Sequence, residues 1–386
     1  MRFLHLADLH IGKSLGEFHL IEDQKYILDQ ILGIARDCSA DGVLIAGDVY
    51  DRPVPSEEAV KVFDHFIRSL ADMGVQVFVI SGNHDSDERL NFGSSLFEAK
   101  GVYICGKYNG SLYRREFEDE YGKIDVFLLP FVKASQVRHF FPDKKINSYE
   151  EAVRAILEET KMDPDRRNLL VAHQFVAGKE RDPLLAGSES PGVKQVGLVE
   201  RIGAGCFDGF DYVALGHIHS PQQVGREGIR YGGSPLKYSL SEAGSRKSVS
   251  VVTLEEKGSL DIRPVQLNPL RDLRHLKGTM RQLLDRAKPD ASERDLIYAT
   301  LTEEEPIDDV MGIFRQYYPN TVRIDYDNAR TRELEQGEVP AAAEKQTFSE
   351  LIGDFYRMIY GCGISEEEMA VMKDAAREAG VADETD

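Results

Sequence analysis

The sequence predicts a layered α/β fold, followed by a small α/β capping domain and a C-terminal helical segment. Short apolar segments of strand length recur through the first 265 residues, and they are rich in Val, Ile, Leu and Phe, as are strands buried on both faces of a sheet. Amphipathic helical patterns lie between several of them, which is typical of layered α/β folds. At 386 residues, the chain is also longer than one hydrophobic core usually spans.

The first domain is predicted to cover residues 1–267. A helix is predicted near 20–38, a second after Ser56, and a third after Ser148, where Glu151 completes an S-x-x-E capping box. The predicted strands lie at residues 3–7, 43–46, 75–80, 126–129, 169–172, 212–215, 230–234, 249–254 and 260–267.

The pattern changes after residue 267. Residues 268–330 are predicted to form the small α/β capping domain, with a helix, a strand at 296–301, a helix opened by Pro306 and a strand at 322–326. We therefore expect a second, smaller core in this part of the chain.

Residues 331–346 contain Gly, Pro and a run of Ala, and we interpret them as a linker. Two short amphipathic helices are predicted in residues 347–386. Each begins with a capping box, Thr347 with Glu350 in the first and Ser365 with Glu368 in the second. Their apolar stripe either docks on the body of the chain or binds a partner protein in a groove.

The charge balance is strongly acidic. The chain has 47 Lys and Arg against 66 Asp and Glu, a formal net charge of −19. This composition argues against nucleic-acid binding by bulk charge, although a local site remains compatible with it. Residues 341–386 contribute eleven acidic and only four basic side chains.

The cysteines and the apolar segments indicate the compartment. The four cysteines, at positions 38, 105, 206 and 362, form no CxxC pair, so a disulfide framework or a thiolate zinc site is not expected. No apolar run is long enough for a membrane span, and no signal peptide is recognisable. We expect a cytoplasmic protein that does not bind membranes.

Polar side chains of metal-binding types follow five of the predicted strands. The carboxyl ends of strands in an open α/β sheet form the usual ligand crevice, so these residues can converge although they are far apart in the chain. The candidate metal ligands are Asp8, His10, Asp48, Asn83, His173, His217 and His219.

The ligand types indicate the chemistry. Seven nitrogen and oxygen ligands are too many for one tetrahedral ion and suit two divalent ions that share a carboxylate, for which Asp48 is the best candidate. Such an ion pair clamps a phosphoryl group and activates a water molecule. Because the set has no thiolate, Mn²⁺, Fe²⁺ and Zn²⁺ fit it better than soft metals.

The five motifs D-x-H, G-D, G-N-H-D, H and G-H-x-H occur in this order, and together they resemble the calcineurin-like metallophosphoesterase superfamily. The resemblance implies a layered α/β/β/α metallophosphoesterase sandwich. It also implies two ligand sets that share Asp48. The first set is Asp8, His10, Asp48 and His219, and the second is Asp48, Asn83, His173 and His217.

The same resemblance implies catalytic roles for two further residues. His84 corresponds to the histidine that protonates the leaving oxygen, and Asp51 resembles its orienting partner. A histidine beside two dications stays charged only with the help of a carboxylate. The alternative for Asp51 is that it only caps the following turn.

Within the superfamily, the chain departs from the serine/threonine phosphatase pattern at Pro53 and Asp85. Residues 3–12 and 47–51 are instead similar to the bacterial SbcD family, the nuclease subunits of SbcCD complexes. This similarity implies a 3′→5′ double-strand exonuclease and single-strand or hairpin endonuclease that processes DNA breaks in repair and recombination. It further implies two Mn²⁺ ions and an SbcC-type ATPase bound by the C-terminal helices. A homodimer within a heterotetramer is expected by analogy, through the helices near Leu20 and after Ser56.

Two other functions stay open at this point. One is a metallophosphoesterase for small-molecule phosphodiesters or phosphoproteins, and the other is a protein-binding scaffold, against which the complete ligand set argues. Lys13, Arg52, Arg89 and Lys237 lie near the motifs and are either phosphate contacts or ordinary surface residues. His5 lies inside a predicted strand, so we expect it in the core.

Overall fold

The structure of the protein is a computed structural model. It describes residues 1–179, 182–187, 201–287, 294–329, 331, 352–353, 355–357, 363–365 and 368–373. The chain divides into two compact units, the first formed by Met1–Thr302 with Ile307–Asp325 and the second by Glu303–Pro306 with Tyr326–Asp386. Almost all of the elements below belong to the first unit.

The strands within the described residues are numbered in chain order. They are β1 Arg2–Leu6, β2 Ser14–Leu15, β3 Phe18–His19, β4 Gly42–Ala46, β5 Gln76–Ile80, β6 Val102–Cys105, β7 Tyr113–Asp119, β8 Gly122–Leu129, β9 Arg167–His173, β10 Val176–Ala177, β11 Ile202–Gly203, β12 Tyr212–Gly216, β13 Gln222–Val224, β14 Arg226–Tyr231, β15 Ser248–Leu254, β16 Leu260–Gln266, β17 Leu273–Gly278, β18 Leu296–Leu301 and β19 Thr321–Tyr326.

The helices are numbered in the same way. They are α1 Ile21–Asp37, α2 Glu57–Asp72, α3 Asp87–Asn91, α4 Ser94–Phe97, α5 Ala134–Arg138, α6 Tyr149–Glu159, α7 Met280–Asp285 and α8 Val310–Arg315. Short 3₁₀ turns lie at Glu98–Lys100, Ala204–Phe207 and Leu240–Glu242.

Two six-stranded sheets form the body of the first unit. The spatial order of the first sheet is β16-β15-β1-β4-β5-β6, and that of the second is β13-β14-β12-β9-β8-β7. In the first sheet β1, β4, β5 and β6 run parallel, and in the second β14, β12, β9 and β8 do so. Antiparallel strands complete both sheets. The parallel strands of each sheet therefore end at one edge, where α/β folds bind ligands.

The two sheets pack face to face with helices on both outer faces. An apolar layer between the sheets combines Phe3, Leu44 and Phe78 of the first sheet with Val126, Val171 and Tyr212 of the second. Helices α1 and α2 pack on the outer face of the first sheet, and α5 and α6 pack on that of the second. The predicted α/β/β/α sandwich is confirmed.

One polar side chain crosses the apolar layer between the sheets. His5 of β1 is fully buried, and its Nδ1 lies 2.8 Å from the Tyr212 hydroxyl of the second sheet. Its Nε2 lies 3.1 Å from the main-chain oxygen of Leu215. Burial is the main reason that the pKa of His5 is lowered to about 3. His5 is thus a hydrogen-bonded core histidine, as expected from its position inside a strand.

Helix starts in the body match the sequence prediction. Ser56 caps α2 by accepting a hydrogen bond from the main-chain nitrogen of Ala59 at 3.2 Å. At α6, Ser148 and Glu151 form the predicted reciprocal capping box. Side chains thereby satisfy main-chain donors that a helix start leaves unpaired.

The segment after residue 267 differs from the prediction. Its first element is strand β17, which was not predicted; the predicted first helix follows as α7, and the second helix begins at Val310, after Pro306. Leu273 and Leu276 are three positions apart, which favours a helix in the sequence, but β17 pairs in parallel with β18 and its burial alternates. Strands β17, β18 and β19 form a separate three-stranded sheet. The boundaries of a capping domain at 268 and 330 stay a prediction.

In the second unit, Ser365 and Glu368 form the predicted capping box, with Ser365 N 3.0 Å from the Glu368 carboxylate and Glu368 N 3.3 Å from the Ser365 hydroxyl. The box of Thr347 and Glu350 and most of the predicted linker lie outside the described residues. Within the part of the chain that the structure describes, no helix is long and apolar enough to cross a bilayer.

Candidate metal centre

The seven candidate ligands lie at the carboxyl ends of parallel strands and face one another. The first sheet contributes Asp8, His10, Asp48 and Asn83 after β1, β4 and β5, and the second contributes His173, His217 and His219 from the ends of β9 and β12. Asn83 is half-buried and the other six are buried. The sandwich therefore brings residues of both sheets into one site.

A first group consists of Asp8, His10 and His219, whose ligand atoms all lie within 4.8 Å of one another. Nε2 of His10 is 3.1 Å from Nε2 of His219. Asp8 Oδ1 accepts a hydrogen bond from the main-chain nitrogen of His217 at 2.9 Å, whereas its buried Oδ2 accepts none among the described residues. A buried carboxylate oxygen without a donor is unfavourable, and a divalent cation would satisfy it.

A second group surrounds the side-chain oxygen of Asn83. Asn83 Oδ1 lies 3.0 Å from Nε2 of His173 and 2.9 Å from Nδ1 of His217. Nδ1 of His173 is 2.8 Å from the main-chain oxygen of Ala46, to which it donates its proton. That bond leaves Nε2 of His173 as the ring atom available to a metal ion.

Asp48 lies between the two groups. Its Oδ2 is 3.6 Å from Nε2 of His10 in the first group and 3.5 Å from Nε2 of His173 in the second. One carboxylate oxygen thus faces a ligand from each set, the placement required of a bridge between two ions.

The main chain at this site has unusual torsion angles. Among the described non-glycine residues, φ is positive at Asp8 (52°), His10 (42°), Asp48 (49°) and His217 (94°), four of only six such residues. Left-handed torsions at non-glycine residues cost about 1–3 kcal/mol each and persist where the surrounding structure enforces them. The strain therefore coincides with the candidate ligands.

Two glycines of the motifs allow close packing around Asp48. Gly47 has a φ of 81°, and a Cβ there would lie 2.4 Å from Nδ1 of His173. A Cβ on Gly82 would lie 2.1 Å from Oδ1 of Asp48. Gly47 thus allows a strand-end turn with a positive φ, whereas Gly82 provides the space that Asp48 needs.

Burial and neighbouring charges shift the pKa values of the candidate ligands in different directions. Burial lowers the pKa of His217 to about 3 and also holds the pKa of His10 well below its usual value. For His173, burial lowers the pKa, but the carboxylates of Asp48 and Asp8 outweigh it and raise the pKa to about 9. Burial raises the pKa of Asp8 to about 6. Bound cations would favour deprotonated ligands throughout this set.

His84 and Asp51 are in contact, but through the main chain. Nδ1 of His84 lies 3.1 Å from the main-chain oxygen of Asp51. The Asp51 carboxylate forms an ion pair with Lys13 at 2.7 Å and lies 3.6 Å from Nδ1 of His10. The orienting role of the Asp51 carboxylate stays a prediction, because the described contact to His84 uses its carbonyl group.

Several supporting residues were not predicted. The Asp85 carboxylate accepts hydrogen bonds from the main-chain nitrogens of Val49 (3.0 Å), Tyr50 (2.9 Å) and Gly82 (2.9 Å), which fixes the turn that presents Asp48. Gln24 of α1 donates to the main-chain oxygen of His10 at 2.7 Å. A sequence signal existed for Gln24, because it is a polar residue within the apolar stripe of its helix.

Comparison with known proteins decides the family. The family model described as calcineurin-like phosphoesterase matches residues 1–221. The chain belongs to this family. It is accordingly a hydrolytic phosphoesterase, and the resemblance inferred from the five motifs is confirmed. A second family model, described as the type 5 capsule protein repressor C-terminal domain, matches residues 269–360.

A relative supports a finer placement within the calcineurin-like phosphoesterases. The SbcD subunit of the nuclease SbcCD from Staphylococcus epidermidis is 34% identical over 327 residues, which cover 84% of this chain and 85% of that protein. The chain therefore also belongs to the SbcD family. Among solved structures, the crystal structure of a dimetal phosphatase from Danio rerio covers 69% of this chain and 96% of its own, with 13% identity and a TM-score of 0.38.

Proposed function

We propose that the chain is the DNA nuclease component of an SbcCD-type complex and hydrolyses phosphodiester bonds with two divalent ions. The observation that carries this proposal is the position of Asp48 Oδ2 between His10 and His173. The proposal also rests on the similarity to a named SbcCD component over most of both chains.

Two sets of residues would hold the ions. Asp8, His10 and His219 would hold one, His173, Asn83 and His217 the other, and Asp48 would contact both. The orphaned Oδ2 of Asp8 and the absence of sulfur from the set fit hard or borderline divalent ions, and we propose Mn²⁺. When bound, the ion pair polarises the scissile phosphate and lowers the pKa of the attacking water.

His84 is the proposed general acid. It is half-buried at the rim of the site, and its ring packs edge-on against His10 with the centroids 4.8 Å apart. A hydrogen bond to the Asp51 carbonyl requires a proton on Nδ1 of His84. Nε2 is then the atom that transfers a proton to the departing O3′ oxygen.

Lys13 and Arg52 are two of the candidate basic residues that lie beside the centre. They line a groove together with His19, Asp51 and Glu58, and the side chain of Arg52 is largely exposed. Lys237 is instead held within the fold by the main-chain oxygen of Ala243 and the carboxylate of Asp272. Because the net charge of the chain is −19, we propose that the bound ions and the partner proteins contribute most of the binding affinity for DNA.

We propose four functional segments and their partners. Residues 1–267 form the nuclease domain, 268–330 the capping domain, 331–346 the linker, and 347–386 the segment that binds an SbcC-type ATPase. By analogy with the SbcD family, a homodimer would use α1 and α2, between which lies a groove lined by apolar residues such as Leu28 and Val62 and by charged residues such as Lys25 and Glu58. Cytoplasmic location and 3′→5′ polarity belong to the same proposal.

The test uses four substrates and the full chain loaded with Mn²⁺, with and without an SbcC-type ATPase. We expect cleavage of linear duplex and hairpin DNA, and its loss in the His84→Gln variant. Cleavage of only a nucleoside cyclic phosphate or a phosphopeptide would overturn the proposal in favour of a small-molecule or protein phosphoesterase. Inactivity on all four substrates by a chain that binds no metal would favour a scaffold.

A further inference from the structure

A buried ion pair lies directly behind His219. Glu242 follows β14 in a 3₁₀ turn, and Lys247 directly precedes β15. They are 2% and 6% exposed and pair with each other. Burying two charges is costly unless further polar contacts satisfy them, so the position of this pair needs a reason.

The pair contacts His219 through both its ring and its main chain. Oε1 of Glu242 is 3.8 Å from Nδ1 of His219 and accepts a hydrogen bond from the main-chain nitrogen of Tyr238 at 3.2 Å. Nζ of Lys247 donates to the main-chain oxygen of His219 at 3.1 Å and to the Ser234 hydroxyl at 2.8 Å. The ring and the main chain of one candidate ligand are thus fixed from the same side.

This arrangement favours one nitrogen of His219 as the metal-binding atom. The Glu242 carboxylate near Nδ1 favours the tautomer that carries its proton on Nδ1. Nε2, which is 3.1 Å from Nε2 of His10, is then available to a metal ion. His173 differs, since its Nδ1 donates to the neutral carbonyl of Ala46. A carboxylate acceptor makes the imidazole a more basic ligand than a carbonyl does.

We propose that Glu242 and Lys247 are positioning residues for His219 and strengthen binding of the ion held by Asp8, His10 and His219. Glu242 fixes the tautomer and direction of the ring. Lys247 neutralises the buried carboxylate and anchors the main chain of His219. The inference rests on the metal centre of the proposed function, to which it adds residues outside the seven ligands.

The test measures Mn²⁺ binding by titration calorimetry on chelator-stripped full-length chains. Glu242→Gln and the double variant Glu242→Gln/Lys247→Met should bind one of the two ions about 10–100-fold more weakly than wild type. The control is Asp119→Asn, which removes the ion pair of Asp119 with Arg167 at the opposite end of β9 from His173. This variant should lose thermal stability without a change in Mn²⁺ affinity.

Wild-type affinity in both Glu242 variants would overturn the inference, whereas a wild-type chain that binds no Mn²⁺ would overturn the proposed metal centre. The double variant buries no unpaired charge, so it decides the outcome if the single variant fails to fold. Nitrogen NMR of histidine-labelled, metal-free wild type gives a direct check. His219 should carry its proton on Nδ1, and a proton on Nε2 would contradict the proposal.

Discussion

Oδ1 of Asp48 accepts a hydrogen bond from the main-chain nitrogen of His84 at 2.8 Å. The other oxygen of the same carboxylate faces His10 and His173. The proposed bridge between the ions thus also fixes the backbone of the proposed general acid. Because this bond uses the main chain of His84, a change of its side chain leaves the bond in place.

We therefore expect His84→Gln to separate metal binding from catalysis. Its metal content, measured by mass spectrometry after gel filtration, should match that of wild type, while DNA cleavage falls by about 10²–10⁴-fold, the usual contribution of a general acid. Asp48→Ala should lose both ions and serves as the control. A His84→Gln chain that purifies without metal would show that His84 is a ligand.

Substitutions in the two ligand groups should each change the number of metal ions that the chain binds. His219→Ala and His173→Ala each remove a ligand from one group only, so each should retain one tightly bound ion and lose the other. Calorimetric titration with Mn²⁺ counts the sites. Equal loss of both ions in each variant would mean that the ions bind only as a cooperative pair.

A substitution of Asp51 separates the contributions of its main-chain carbonyl and its carboxylate to the orientation of His84. Asp51→Asn keeps the main-chain oxygen that faces His84 but weakens the pairing with Lys13. We expect its kcat to fall by less than about 10-fold, far less than in His84→Gln. Lys13→Met is the matched control. A defect in Asp51→Asn as large as that in His84→Gln would assign the orienting role to the carboxylate.

His5 predicts a dependence of stability on pH. Its pKa is near 3 in the folded chain and near 6.5 when unfolded, so the unfolded state binds the proton first. The contribution of neutral, buried His5 to the free energy of unfolding is complete above pH 6.5 and is lost as the pH falls toward 3. The free energy of unfolding then changes by at most about 1.4 kcal/mol per pH unit. Urea unfolding of metal-free wild type and of His5→Gln between pH 7 and pH 4 should show that the free energy of unfolding falls more steeply with decreasing pH in the wild type. Parallel curves would contradict this account.

The sequence predicted a layered α/β fold and the convergence of the candidate ligands because these signals are local, whereas the α/β/β/α sandwich was implied by the family resemblance. Each ligand directly follows or ends an apolar strand, so the residue type and the strand can be recognised in one short segment. The parallel topology then brings the strand ends together, as it does for Asp8 after β1 and Asp48 after β4. The distance between their positions in the chain does not weaken this inference.

The supporting residues could not be predicted in that way. Glu242 and Lys247 lie in a loop without a periodic pattern, and only the path of the chain brings them behind His219. Strand β17 was missed at the start of a segment predicted to begin with a helix, because its pairing with β18 is a tertiary contact. In each of these cases the position of the residue or strand depends on contacts between segments that are distant in the sequence.

The division of ligands between the two sheets has a consequence for biosynthesis. His10 and His219 belong to the same group but are 209 positions apart, and the other group depends on His173 and His217. A chain that has been synthesised only as far as residue 172 contains Asp8, His10, Asp48 and Asn83 but none of the three histidines from the second sheet. It completes neither ligand set. Both sets are complete only after residue 219 has been synthesised, so a shorter fragment is expected to lack a complete metal centre.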